Sequence, residues 1–223
     1  MKTPLASLIR PISFDEVVGQ KRLIGPKGLI RKLLESNKEL PNMILYGPSG
    51  TGKTTIANII ASKINKKIVF LNATTASKKD IDEIITDLDK LESQNGILLY
   101  LDEIQYFSKK QQQILLEFIE KGDITLIAST TENPYFYIYN AIISRCVIFE
   151  FYPVDAKEVE KALLRAIEKF EKINNCQINF EKGIVEYLAA VSGGDVRKAI
   201  NGLEVLISVS DFYKNTYSLS LES

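Results

Sequence analysis

The sequence has no histidine, no tryptophan and only two cysteines, Cys146 and Cys176, in 223 residues. Without histidine, imidazole acid–base catalysis and histidine-ligated metal sites are excluded. Two thiols make no disulfide framework and cannot complete a four-thiolate zinc site. No apolar run approaches the ~20 residues that cross a bilayer, so no membrane association is expected. The opening MKTPLASLIRP is too polar, and too soon broken by proline, for a secretory signal. The expected location is the cytoplasm. Net charge is also missing: 28 Lys+Arg balance 28 Asp+Glu, which leaves no long-range field to steer nucleic acid. Only six of those 28 basic residues are arginine, at 10, 22, 31, 145, 165 and 197, so an arginine beside a motif is worth inspecting. A hydrophobic content of 45% is that of a globular chain. At roughly 100–200 residues per domain, the length fits one domain or one with a small companion.

Short β-branched apolar runs, at Met43–Tyr46, Ile68–Leu71, Ile97–Leu101, Ile124–Ser129 and Val147–Phe151, alternate with helical spacing. Runs of this kind are strands buried on both faces, hence a parallel sheet. Helical stripes lie between them: Ile56, Ile59, Ile60 and Ile64; Ile81, Ile84, Ile85, Leu88 and Leu91; Ile114, Leu115 and Phe118. The alternation predicts an α/β core with right-handed crossovers. After Pro153 the strands stop. Asp155–Asn174 is an amphipathic helix whose N-cap is Asp155, with Glu158 placed for a capping box. Glu181–Val191 and Asp195–Val209 follow as helices separated by Ser192-Gly193-Gly194, and Tyr213–Ser223 is irregular and polar. The expected division is therefore 1–152 and 153–223.

Gly47-Pro48-Ser49-Gly50-Thr51-Gly52-Lys53-Thr54 fits the phosphate-binding pattern G-x-x-x-x-G-K-[ST], with a strand before it and an amphipathic helix after. Its glycines let the backbone curl so that N–H groups meet phosphate oxygens. Lys53 would reach the β- and γ-phosphates, the Thr54 hydroxyl would ligate Mg²⁺, and the helix start would face the same anion. The run Leu98–Leu101 ends in Asp102-Glu103, at the sheet edge where open α/β proteins bind ligands. Asp102 would hold Mg²⁺ through its water shell, and Glu103 would orient or deprotonate water, which argues for hydrolysis over transfer. Thr130, in Thr130-Thr131-Glu132-Asn133-Pro134, is either a water-positioning hydroxyl or part of an ordinary strand-end turn. Asn72, ending another strand, is equally placed to touch Glu103. Arg145 precedes the last core strand. Arg197 sits in the first turn of a helix, where the dipole disfavours a cation, so a phosphate-facing role competes with a surface ion pair.

Together the phosphate loop, Leu101-Asp102-Glu103, Ser144-Arg145 and Gly194-Asp195-x-Arg197 resemble an AAA+ ATPase of the clamp-loader clade. Pro4-Leu5-Ala6, Arg10-Pro11 and Val18-Gly19-Gln20 resemble its N-terminal box. Thr130-Thr131-Glu132-Asn133-Pro134 and Ser108-Lys109-Lys110-Gln111-Gln112 resemble the RarA/MgsA family of replication-associated recombination proteins, relatives of Werner-helicase-interacting proteins. The resemblance implies an α/β P-loop core with a five-stranded parallel sheet flanked by helices, then a small all-helical lid domain. It implies ATP and Mg²⁺ as cofactors. The nucleotide would meet Val18, Gly47, Pro48, Ser49, Gly50, Thr51, Gly52, Lys53, Thr54 and Thr55, and the metal Thr54 and Asp102. Glu103 completes the acidic pair. Thr130 resembles sensor 1, Arg145 a finger reaching a neighbouring subunit's γ-phosphate, and Arg197 sensor 2. Three positions depart from the family: Ser49 replaces a second proline, Gln105 stands where many members have histidine, and Cys146 gives the clamp-loader spelling Ser-Arg-Cys. The family continues through a fourth lid helix into a tetramerising C-terminal domain, so the resemblance implies an N-terminal fragment.

The implied function is a DNA-dependent ATPase of replication-fork maintenance and recombination repair. Its implied partners are forked or single-strand-containing DNA, bound without sequence specificity, single-strand-binding protein, and further copies of itself in the full-length protein. A clamp-loader subunit, a branch-migration motor and an ATP-gated scaffold are the alternatives. In the sequence itself, DNA binding is supported only by Lys66-Lys67, Lys78-Lys79 and Lys109-Lys110, pairs that are usually solvated surface.

Overall fold

The computed structural model describes residues 3–36, 39–88 and 95–220. They form two compact units, one of Arg22–Gly47 and Lys53–Phe151, the other of Met1–Lys21, Pro48–Gly52 and Tyr152–Ser223.

The first unit is built on five parallel strands: β1 (Asn42–Tyr46), β2 (Lys67–Asn72), β3 (Ile97–Asp102), β4 (Ile124–Thr130) and β5 (Cys146–Glu150). Each contains the core of one predicted run, and the sheet order is β2-β3-β4-β1-β5. The burial pattern follows that order. All of β4 and the first five residues of β3 are buried, whereas β2 and β5 at the edges are mostly half-exposed. Continuous apolar runs therefore mark the middle of the sheet, where both faces are covered.

Helix Lys53–Ala61 buries Ile56, Ile59 and Ile60, while Ile64 lies in the turn beyond it. Helix Lys78–Leu88 buries Ile81 and Ile84; Leu91 of the same predicted stripe lies outside the described residues. Helix Lys109–Lys121 opens with a closed capping box. Ser108 accepts from the Gln111 N–H, and the Gln111 side chain accepts from the Ser108 N–H. It ends at Gly122, whose left-handed φ of 81° suits a C-cap. The core of this unit joins Ile44, Leu99, Leu101, Leu126 and Ala128 of the sheet to Ile81, Leu115 and Ile142 of the helices. Burying each large aliphatic side chain here contributes about 1.5–3 kcal/mol.

In the second unit, helix Ala156–Asn174 lays Val159, Leu163, Ala166 and Phe170 against Ile184 and Leu188 of helix Ile184–Val191 and Ala199 and Leu203 of helix Val196–Val209. Two expectations need correcting. Asp155 does cap its helix, accepting from the Lys157 N–H, but Glu158 turns outward to Lys21 and Lys161, so the capping box is not closed. This unit is also not all-helical. β6 (Gln177–Phe180), β7 (Asp211–Tyr213) and β8 (Thr216–Leu219) form a small sheet in the order β6-β8-β7. Lys214 and Asn215, with φ of 46° and 66°, make the two-residue turn of the β7–β8 hairpin. Positive φ at both central residues is what the right-handed strand twist requires. Tyr217 then stacks edge-on against Phe170, ring centroids 5.9 Å apart, so helix packing holds strands too short to persist alone. Among the described residues, no helix is long and apolar enough to cross a membrane.

Candidate nucleotide site

The phosphate loop leaves the end of β1 at Gly47. Its N–H donates to the Thr130 carbonyl at 3.2 Å, and a Cβ there would stand 2.2 Å from the Phe151 carbonyl oxygen. With φ at +140°, no other residue fits. The loop closes at Lys53, whose Nζ donates to the Gly47 carbonyl at 2.6 Å while the residue is only 8% exposed. A buried ammonium must be hydrogen-bonded, and this contact also joins the loop's two ends. Lys53 is the first residue of its helix, the end whose N–H groups attract anions. Thr54 and Thr55 follow in the first turn.

The loop tip belongs to the other unit. There the Thr51 hydroxyl, almost fully buried, donates to the Pro48 carbonyl at 2.8 Å, and the Gln20 amide donates to the Thr51 carbonyl at 3.4 Å. Ser49 donates to the Asp195 carboxylate at 3.1 Å, and the Val196 N–H donates to the Gly50 carbonyl at 3.1 Å. Val18 packs against the helical core, and Val17 meets the position a Gly52 Cβ would take, at 3.8 Å. Arg197 is exposed, two residues beyond Asp195.

Sheet register sets the acidic pair. Tyr46 pairs with Thr130 and Asn72 with Asp102, so four strand ends share one edge. Tyr100 and Asp102 alternate onto the same face of β3. The Tyr100 hydroxyl lies 3.1 Å from Thr54 Oγ1, 3.1 Å from Asp102 Oδ1 and 3.0 Å from Ser129 Oγ. Ser129, fully buried, donates to the same Asp102 oxygen. Burial, and then the Asp102 charge, push the Tyr100 phenol above its ordinary pKa, so it remains a neutral hydroxyl. One hydroxyl and one carboxylate, both hard oxygen donors, thus converge through a phenol. That donor set suits Mg²⁺, which takes few protein ligands and draws the rest from phosphates and water. Among the described residues, no group of three or more acidic or cysteine side chains is placed to hold a metal ion.

Glu103 adopts the left-handed conformation, φ 55° and ψ 48°, and caps the single turn of 3₁₀ helix Ile104–Tyr106. A non-glycine residue in this region carries about 1–3 kcal/mol of strain, which the surrounding structure must over-determine. Its Oε2 accepts a 2.6 Å hydrogen bond from the Gln105 amide. No hydrogen bond joins Glu103 to Asn72 among the described residues. Asn72 Oδ1 instead accepts from the Thr74 N–H and hydroxyl, at 2.9 and 2.6 Å, a local turn that engages the amide oxygen at its own strand end.

Thr130 is fully buried, and its hydroxyl accepts from the Glu132 N–H at 3.0 Å, the turn-forming arrangement. Arg145 is about 41% exposed at its side chain, pairs with Glu120 at 2.6 Å and donates to the Ala141 carbonyl at 2.7 Å. Sequence reasoning gave no role to the side chains of Tyr100, Ser129 and Asp195, although the last stands in the Gly194-Asp195-x-Arg197 motif. The first was two residues before a singled-out carboxylate, a period-2 signal that was there to be used.

Residues 43–154, half of the chain, match the model of the ATPase family associated with various cellular activities (AAA). ATPase WRNIP1 of Dictyostelium discoideum is 36% identical over 220 residues, which is 98% of this chain and 25% of that protein. Replication-associated recombination protein A of Bacillus subtilis is 38% identical over 205 residues, 92% of this chain and 48% of that one. The chain therefore spans from a quarter to about half the length of these curated relatives. Among solved structures, the RuvB Holliday junction branch migration motor of Thermotoga maritima is similar with a TM-score of 0.70 and 27% identity, over 91% of this chain and 67% of that one. The chain belongs to the AAA family of ATPases and, within it, to the branch of replication-associated recombination protein A and WRNIP1.

Proposed function

We propose that the chain binds ATP with Mg²⁺ and hydrolyses it at interfaces between copies, as the ATPase portion of a protein that remodels DNA or DNA-bound proteins at replication forks and in recombination repair. The observation that carries this reading is the Tyr100 hydroxyl, which draws Thr54 and Asp102 to one point beside Glu103. Thr54 and Asp102 would hold Mg²⁺, which when bound neutralises charge on the β- and γ-phosphate oxygens. Lys53 and the loop N–H groups bind the phosphates. Glu103 takes the proton of the attacking water. Thr130 helps to place that water, Arg197 acts as a phosphate contact, and Arg145 completes the site of a neighbouring copy. Residues 1–152 act as the nucleotide-binding core and 153–223 as its lid.

For the DNA partner, the lysine pairs separate by their surroundings. Lys66 donates to the Thr125 hydroxyl at 2.8 Å, Lys67 pairs with Asp87 at 2.7 Å and Lys79 lies 3.6 Å from Glu83. Lys109 and Lys110 are exposed and carry no ion pair among the described residues, and Lys109 Nζ stands 5.3 Å from the Tyr139 ring centroid. Buried Gln112 binds the carbonyls of Phe107 and Tyr137 and the Tyr139 N–H, which brings exposed Tyr106, Phe136 and Tyr137 to that helix start. Lysines interleaved with open aromatic faces suit a single strand: ammonium groups on phosphates, rings on bases. Such contacts favour no sequence and weaken steeply with salt.

Steady-state ATP hydrolysis across protein concentration, with and without forked DNA, tests the proposal. Stimulation that appears only as copies assemble is the expected result, with Lys53→Ala losing ATP binding and Glu103→Gln keeping ATP but not turnover. Normal turnover in Glu103→Gln would remove the water-activating role. DNA-indifferent turnover with tight ATP binding would replace the remodelling enzyme by a nucleotide-gated scaffold.

A further inference from the structure

We infer that Gln105 is the positioning residue for Glu103, the neutral donor that fixes which way the water-activating carboxylate points. The inference rests on the proposed role of Glu103 and adds to it a partner in place of Asn72. The contact is short, 2.6 Å, and it lies within a single turn of 3₁₀ helix. The Tyr106 N–H closes onto the Glu103 carbonyl at 3.0 Å and the Phe107 N–H onto the Ile104 carbonyl at 2.9 Å. Ile104 and Phe107 are buried on either side of Gln105, 0% and 3% exposed, and anchor the turn in the core. The backbone therefore leaves Gln105 little freedom to drift from Glu103.

The orientation of the amide is fixed as well. Gln105 Oε1 is buried and has no hydrogen-bond partner among the described residues. Turning the amide over would press that oxygen against a carboxylate oxygen, so the NH₂ group must face Glu103. The two neighbouring carboxylates are then steered by separate partners: hydroxyls of Tyr100 and Ser129 hold Asp102, and an amide holds Glu103. One Glu103 oxygen is engaged, and the other keeps its lone pairs to receive a proton. An amide does not titrate, so it donates at every pH at which the protein is folded.

Three variants of the intact protein test this, each with kcat, ATP affinity and melting temperature measured. Gln105→Glu keeps the shape but replaces the donor with a repelling oxygen; Gln105→Leu keeps the bulk without polarity. Both should lose about 10- to 100-fold in kcat, the rate equivalent of one charge-assisted hydrogen bond, at unchanged ATP affinity. Gln105→His, measured at pH 8 where the neutral ring still offers an N–H, should recover most of that loss. A merely structural role would be satisfied by the isosteric Gln105→Glu and would give no preference for donors. Wild-type kcat in Gln105→Glu, or a kcat for Gln105→His as low as that of Gln105→Leu, overturns the inference. Glu103→Gln separates the two claims. If it turns over normally, the role of Glu103 fails; if it is dead while Gln105→Glu is normal, only the positioning role of Gln105 fails.

Discussion

Ser49, at the tip of the phosphate loop, donates a 3.1 Å hydrogen bond to the carboxylate of Asp195, the residue that opens helix Val196–Val209. The same carboxylate caps that helix by accepting from the Lys198 N–H at 2.8 Å. With the Val196 N–H on the Gly50 carbonyl, loop tip and helix start form one hydrogen-bonded piece. Proline, which resemblance to the family leads one to expect at position 49, has no hydroxyl to give. In this chain the tie depends on serine.

Gly50 should tolerate no side chain. Its φ is +65°, and an alanine Cβ would stand 1.7 Å from Asp195 Oδ1. The left-handed conformation alone costs an alanine about 1–2 kcal/mol, and the contact adds to it. Gly50→Ala should lower the melting temperature and weaken ATP binding in calorimetry. Adding Asp195→Ala should relieve part of both; if the double variant is worse than the sum of the singles, the contact is not the cause.

Removing the Tyr100 hydroxyl should separate metal binding from folding. Tyr100→Phe keeps a buried ring and leaves Ser129 to hold Asp102, so a stability loss of about 1–2 kcal/mol is expected. Thr54 and Asp102 lose the group they share. ATP affinity should then require more Mg²⁺, read from nucleotide titrations across Mg²⁺ concentration. An unchanged Mg²⁺ dependence would exclude the phenol as organiser.

The Arg145–Glu120 pair joins two half-exposed side chains, and such pairs contribute about 0–1 kcal/mol. Arg145→Ala should therefore melt and bind ATP like the wild type, yet lose the turnover that grows with protein concentration. Glu120→Ala should keep it. Loss of ATP binding in Arg145→Ala would place the arginine in its own subunit's site.

Glu158 gives a pH-dependent prediction. Hydrogen bonds from Lys161 and Lys21 lower its pKa from the ordinary carboxylate value to about 2. A depressed folded-state pKa means stability that is present above the unfolded value and lost as pH falls through the folded one. Glu158→Gln should cost less than about 1 kcal/mol at pH 7, because both lysine partners are largely exposed and solvent screens them. The difference from wild type should shrink between roughly pH 4.5 and 2 in denaturant melts. A difference that stays constant down to pH 2 would refute it.

The sheet was legible because its central strands are buried on both faces, which writes unbroken apolar runs such as Ile97–Leu101 into the sequence. The phosphate loop was legible because few arrangements of glycine, lysine and threonine curl a backbone around an anion. The small β6–β8 sheet was not. Its strands are three or four residues long, too short for periodicity, and its one local signal was the Lys214-Asn215 turn. Ser129 was hidden for a different reason. Its value lies in the register that sets β4 beside β3, a relation between segments that no single segment records. Asn72 and Gln105 show the limit of position alone: both are near Glu103 in the sequence logic, and local hydrogen bonding decided between them.

Lys53 already rests on an oxygen, the Gly47 carbonyl, inside its own loop. If a nucleotide binds as proposed, its phosphate does not meet a bare ammonium: one of the three N–H donors is already turned to a loop carbonyl. A phosphate oxygen is charged where that carbonyl is neutral, so it has more to offer the lysine than an uncharged ligand such as a nucleoside. Discrimination against uncharged ligands would then begin with the contact the loop makes with itself.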